Sequence, residues 1–128
     1  MTIENFFTRE VVNKGKRIPL TLPSGEKSND YLDIVGMDSD VFRAAETAGK
    51  RRMLEAAEIE DPEKKEKAYL DIELETIAAL IVGWSFDMEC NLENKVMLLR
   101  EAPQIRRKIN LLAAKLEFFF EKKSPPSS

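Results

Sequence analysis

Two apolar stripes in the second half of the chain constrain its fold more than any other feature. Leu70, Leu74, Ile77, Ile81, Trp84 and Met88 recur every three or four residues, which places them along one side of a helix. Ile105, Ile109, Leu112, Leu116 and Phe119 repeat the pattern further on. Asn91 and Pro103 punctuate the run: Asn91 suits an N-cap, and Pro103 suits the first turn of a new helix, where its missing N–H costs nothing. The spacing therefore predicts helices over 62–88, 91–101 and 103–121, folded on one another as the main core.

Upstream the period changes. Residues 1–14 read as a short helix with Thr2 as its cap and Gly15 as its end. Arg17 to Leu22 alternates, Pro23-Ser24-Gly25 is a turn signal, and Tyr31 to Val35 alternates again before Gly36. This predicts a β-hairpin over about 17–35 with a polar loop from Pro23 to Asp30. Two strands alone are marginal in water, so the hairpin must pack on the helices or on another subunit. Pro19 in the first strand implies an edge that is not fully paired. Asp38 or Ser39 then caps a helix over 39–60, broken by Asp61-Pro62. Gly49 in its middle costs about 1 kcal/mol against alanine, which close packing against a neighbouring helix would offset.

The expected architecture is mainly α: a compact helical domain of four to five helices over 1–121 with a small N-terminal β-hairpin. Residues 122–128, rich in Lys, Ser and Pro, read as a disordered polar tail. The length of 128 residues suits one domain. Neither a leader peptide pattern nor an apolar run of membrane-spanning length is visible, and the one cysteine, Cys90, suits a reducing compartment.

The absence of histidine removes the group that most often performs acid–base work near neutral pH, and with it any Ser-His-Asp or Cys-His arrangement built from this chain. Asp71, Glu73 and Glu75 fall on different helical faces and do not converge. Gly49-Lys50 resembles the end of a phosphate-binding loop, but the first glycine is missing and Arg51 replaces the Ser or Thr that would hold magnesium. Asp38 and Asp40 are explained by helix capping. No catalytic, cofactor or metal site is expected, and the chain is read as a non-enzyme.

Two basic clusters, Lys50-Arg51-Arg52 and Arg106-Arg107-Lys108, fan around their helices and are diluted by glutamates. The second sits where a recognition helix over 103–121 would meet DNA, so a small helical DNA-binding regulator is the alternative reading. The net charge of −3 opposes it, and neither nucleic acid nor membrane is expected as a partner. Phe118, Phe119 and Phe120 are consecutive, so one buried stripe cannot hide all three: either that helix end is buried on several sides or some rings meet a partner. Phe6 and Phe7 raise the same question at the other end. These five are the candidate partner-binding residues.

The run VGWSFD (Val82 to Asp87), then Cys90-Asn91-Leu92-Glu93-Asn94, Leu98-Leu99, Pro103 and a last helix ending Leu116-Glu117-Phe118-Phe119 resembles the tail assembly chaperones of long-tailed, lambda-like bacteriophages. The strand-like RIPLTLPSGE ahead of a helical body is similar to that family as well. The resemblance implies a non-enzymatic assembly factor in the bacterial host cytoplasm, absent from the mature virion. Its implied partners are the tape measure protein, which it keeps soluble, the tail tube protein, which it helps recruit, and further copies of itself. It also implies a longer product made by ribosomal frameshifting, for which A-rich codons at Lys122-Lys123 would be suitably placed.

Overall fold

The structure, a computed structural model, describes residues 1–120. The tail expected over 122–128, including Lys122-Lys123, lies outside the described residues. A 3-10 turn at Ile3–Phe6 leads into helix α1 (Arg9–Lys14), strands β1 (Lys16–Thr21) and β2 (Lys27–Ile34), helices α2 (Asp40–Ala56) and α3 (Pro62–Ala78), strand β3 (Ile81–Trp84), and helices α4 (Leu92–Glu101), α5 (Pro103–Ala113) and α6 (Leu116–Phe120). The fold is mainly α with an N-terminal hairpin, as the sequence patterning predicts, although the helices among the described residues number six.

The hairpin forms where alternation placed it. Ile18 and Leu20 of β1 and Leu32 and Ile34 of β2 point into the core. On the other face Arg17 lies across from Asp33, with the guanidinium Nε 2.8 Å from Oδ1, and stacks 3.7 Å from the centre of the Tyr31 ring. The connecting loop is shorter than expected, because β2 already begins at Lys27. Pro19 lies in β1, an edge strand of the sheet, and its carbonyl accepts from Lys108 Nζ of α5 at 3.2 Å.

The helix expected over 62–88 is corrected. α3 ends at Ala78, the backbone tightens through Ala79 N–H to Thr76 O and Leu80 N–H to Ile77 O, and Ile81–Trp84 becomes a third strand. β3 pairs antiparallel with β2, setting Leu32 opposite Trp84, Asp33 opposite Gly83 and Ile34 opposite Ile81. The strand gives β2 a neighbour on each side and relieves the weakness of an isolated hairpin. Trp84 therefore reaches the core from a strand, half-buried, with Phe86 edge-on at 5.2 Å and its Nε1–H bonded to Met88 O at 2.9 Å.

The N-terminal helix expected before Gly15 is divided, with an extended Phe7 between the 3-10 turn and α1. Gly15 ends α1 at φ +80°, and a Cβ there would overlap the Ile34 carbonyl oxygen.

Capping proceeds as the sequence indicates. Ser39 Oγ accepts from Phe42 N–H, Asp61 Oδ1 from Glu63 N–H, and Asn91 Oδ1 from Asn94 N–H. Gly49 is buried where α2 crosses α3, and a Cβ there would stand 2.6 Å from Thr76 Oγ1. Leu74, Ala78, Leu80, Ile81, Leu99 and Ile109 are fully enclosed and join the inner face of the sheet to α3, α4 and α5.

The single helix expected over 103–121 is also corrected. It breaks at Ala114-Lys115, where Lys115 N–H turns back to Leu112 O and Phe118 N–H to Lys115 O. The break redirects α6 onto α1, so that both Phe118 and Phe119 are buried.

Candidate partner-binding surface

α1, which follows Phe6 and Phe7 in the chain, packs against α6, which carries Phe118 to Phe120 more than a hundred residues on. Phe118 and Phe119 are 8% exposed and meet edge to face at 5.0 Å. Lys16 Nζ lies 4.7 Å from the centre of the Phe118 ring and donates to Phe118 O at 2.9 Å. These two rings are core. Phe120 remains 45% exposed, and Leu116 of the same helix is exposed with it.

Phe6 and Phe7 stand out at 70% and 62% exposure, and no residue of the 3-10 turn is buried. The turn is held locally: Thr2 N–H donates to Asn5 Oδ1 at 2.9 Å, and Thr2 Oγ1 lies 3.1 Å from the same oxygen. Together with Thr8, Arg9, Glu10 and Asn13 the two rings line a cleft of about 740 Å³. Two of the lining side chains, Arg9 and Asn13, are anchored on Asp40. Arg9 donates to both carboxylate oxygens of Asp40 at 3.0 and 2.6 Å, while Asn13 Nδ2 donates to Oδ2 at 3.2 Å and Asn13 Oδ1 accepts from Asp40 N–H at 2.8 Å. Hydrogen bonding from Arg9 holds the Asp40 carboxyl below the usual carboxylate range, and Asp40 in turn raises Arg9.

A second hollow, of about 330 Å³, opens between α2, α3 and α5. Gly49, Met53, Ile72 and Ile77 give it an apolar floor, and Glu46, Lys50 and Asn110 stand at its rim. Leu54 on α2 and Leu111 on α5 are 75% and 68% exposed. Periodicity alone does not select the hollow, whose lining comes from three separate helices, and the two leucines, which fall off the apolar stripe of their own helix, do not line it.

The basic clusters do not combine. Arg52 is paired with Glu75 of α3, and Lys108 is held by the Pro19 carbonyl. The α5 helix that was to serve as a DNA-reading element ends at Ala113, with Ile109 and Ala113 turned into the core. Cys90 is half-buried and free, and burial pushes its thiol upward, away from the reactive thiolate. Among the described residues no group of three or more Cys, Asp or Glu side chains is placed to hold a metal ion, and no helix is long and apolar enough to cross a membrane.

Fold and surface together define a small helical protein that presents apolar side chains at an N-terminal arm and at an interhelical hollow. The family model for the phage tail assembly chaperone matches residues 17–114, and the chain belongs to that family. No match was found among curated proteins or among solved structures.

Proposed function

We propose that this protein binds the tape measure protein during phage tail assembly, keeps it soluble and helps recruit tail tube subunits, without enzymatic activity of its own. The observation that carries the reading is the family match across residues 17–114, which spans the sheet and the helices from α2 to α5. The surface is compatible with it. A long amphipathic client is held by apolar grooves and anchors, and the hollow between α2, α3 and α5 has the apolar floor and polar rim of a groove that takes a helix. Many copies along one client, each bound weakly, give avidity that one contact cannot supply.

On this reading the protein works in the host cytoplasm, is absent from the mature virion, and associates with itself as well as with its client. Phe6, Phe7 and Phe120 are the members of the candidate set exposed for contact, whereas Phe118 and Phe119 are buried. Co-expression with the tape measure protein of the same phage tests the proposal. The client stays in the soluble fraction and copurifies if the proposal is right; an insoluble client with nothing copurifying refutes it. The frameshifted longer product is tested separately, by reading the codons around Lys122-Lys123 and looking for the extended protein.

A further inference from the structure

The N-terminal arm is ordered locally yet covers nothing. Within Met1–Phe7 the side chains of Met1, Ile3, Phe6 and Phe7 are each at least 62% exposed, in a segment fixed by the Thr2–Asn5 hydrogen bonds. A segment already shaped in this way loses little freedom when it docks. Its charge is low: Glu4 is the one ionisable side chain between Thr2 and Thr8.

We infer that two copies of this chain pair through their N-terminal arms, each arm covering the Phe6–Asn13 cleft of the other about a two-fold axis. Three observations point to a second copy as the occupant. The first is self-complementarity. A two-fold contact requires one patch to carry both the projection and the recess, and the same stretch carries both here, the exposed Phe6 and Phe7 rings and a cleft of about 740 Å³ lined by those residues with Thr8, Arg9, Glu10 and Asn13. The second is charge. The Arg9 guanidinium lining the cleft is already paired with Asp40 of its own chain, so two identical patches meet without bringing unpaired cations together, and Glu10 is the one other charged side chain in the lining.

The third is area. A phenylalanine offers roughly 200 Å², so Phe6 and Phe7 at their observed exposures present about 260 Å² per chain. With Met1, Ile3 and the cleft walls the arm contributes roughly 500–600 Å² per chain, which puts a symmetric pair at about 1,000–1,200 Å², the low end of specific interfaces. Such a dimer is reversible and suits a protein that must distribute itself along a client.

This deepens the self-association named in the proposed function and rests on that reading only for its purpose; the contact itself is tested without client. Sedimentation equilibrium of the full chain across micromolar concentrations is expected to show a reversible monomer–dimer equilibrium. The double variant Phe6→Ser/Phe7→Ser is expected to weaken it by roughly tenfold or more, as loss of central aromatic anchors does. Leu54→Ser, which removes an equally exposed apolar side chain elsewhere, is expected to leave it unchanged. Circular dichroism should stay that of the wild type in both variants, because none of the three side chains is buried. Mixing wild type with the double variant should give a mixed dimer of intermediate affinity, since one of its two arms is intact.

A wild type that is monomeric throughout the range overturns the inference, whether or not the tape measure protein is bound. So does a double variant that dimerises normally, a Leu54→Ser that dissociates equally, or a mixed dimer as tight as the wild-type pair, which would mean that the arm docks elsewhere. If the wild type is monomeric alone but the double variant loses client capture, the arm holds client rather than a second copy. That result sinks this inference and leaves the chaperone reading intact.

Discussion

Replacing Gly49 by alanine sets two effects of known size against each other. Alanine in a helix interior is favoured over glycine by about 1 kcal/mol. Against that, the new Cβ would stand 2.6 Å from Thr76 Oγ1. Thr76 cannot step aside cheaply. It is β-branched, so moving Oγ1 from its site either brings the methyl group there or requires a χ1 that a helix disfavours. It also breaks the hydrogen bond from Oγ1 to Ile72 O at 2.8 Å. Overpacking of this kind costs about 1–3 kcal/mol, so Gly49→Ala should lose about 1 kcal/mol net, lowering Tm by about 3–6 °C.

The sign should reverse once the hydroxyl is removed. In a Thr76→Ala background the next atoms near the new Cβ are Thr76 Cβ and Ile72 Cγ2, both at 3.8 Å, an ordinary contact. There Gly49→Ala should gain about 1 kcal/mol, giving a coupling near 2 kcal/mol between the two sites. Thr76→Ala alone should lie within about 0.5 kcal/mol of wild type, because its lost bond runs to its own helix. Urea denaturation of the four proteins measures the cycle. Stabilisation by Gly49→Ala in the wild-type background, or additivity of the two substitutions, would refute the reasoning that α2 and α3 are spaced by this contact.

Leu80, fully enclosed beyond the end of α3, should cost about 2–5 kcal/mol when replaced by alanine, read as a fall in the urea midpoint. Ser39→Ala should cost about 1 kcal/mol in the same assay, through loss of the α2 cap to Phe42 N–H. Asp40 is depressed in the folded state, so its contribution is complete above its unfolded pKa and disappears as pH falls through the folded one. The raised Arg9 stays charged throughout that window and adds no further dependence. Asp40→Asn should therefore be less stable than wild type at neutral pH, with the difference closing as pH falls through the folded pKa of Asp40. Cys90, pushed up by burial, should react with iodoacetamide at mildly alkaline pH more slowly than a free thiol and recover the free rate in urea.

Much of the architecture was legible because each local signal had one interpretation. Asn91, Asp61-Pro62 and Ser39 mark helix starts that the structure repeats, and the alternation in Arg17–Leu22 could belong only to a strand. Ile81–Trp84 was misread because its apolar residues continue the helical spacing of Leu74 and Ile77 without a break. A four-residue run satisfies either period, and what decides it is the open edge of β2, a tertiary fact. The break at Ala114-Lys115 was hidden in the same way: both are good helix formers, and only burial of Phe118 and Phe119 together explains the turn.

The candidate surface was half legible. Consecutive aromatics announced that one stripe could not hold them, but not which rings are core. Burial separates Phe118 and Phe119 from Phe120, and Phe6 and Phe7 from both. The hollow between α2, α3 and α5 is built from three segments distant in sequence and has no linear signature.

The central claim is that this protein keeps the tape measure protein from aggregating by binding it. It is tested most directly by diluting denatured tape measure protein into rising concentrations of this chain while following light scattering. The account predicts that scattering falls with each addition and is abolished at a fixed molar ratio, with the two proteins then sedimenting together. Scattering that is unaffected at molar excess, with the two proteins sedimenting apart, would contradict it.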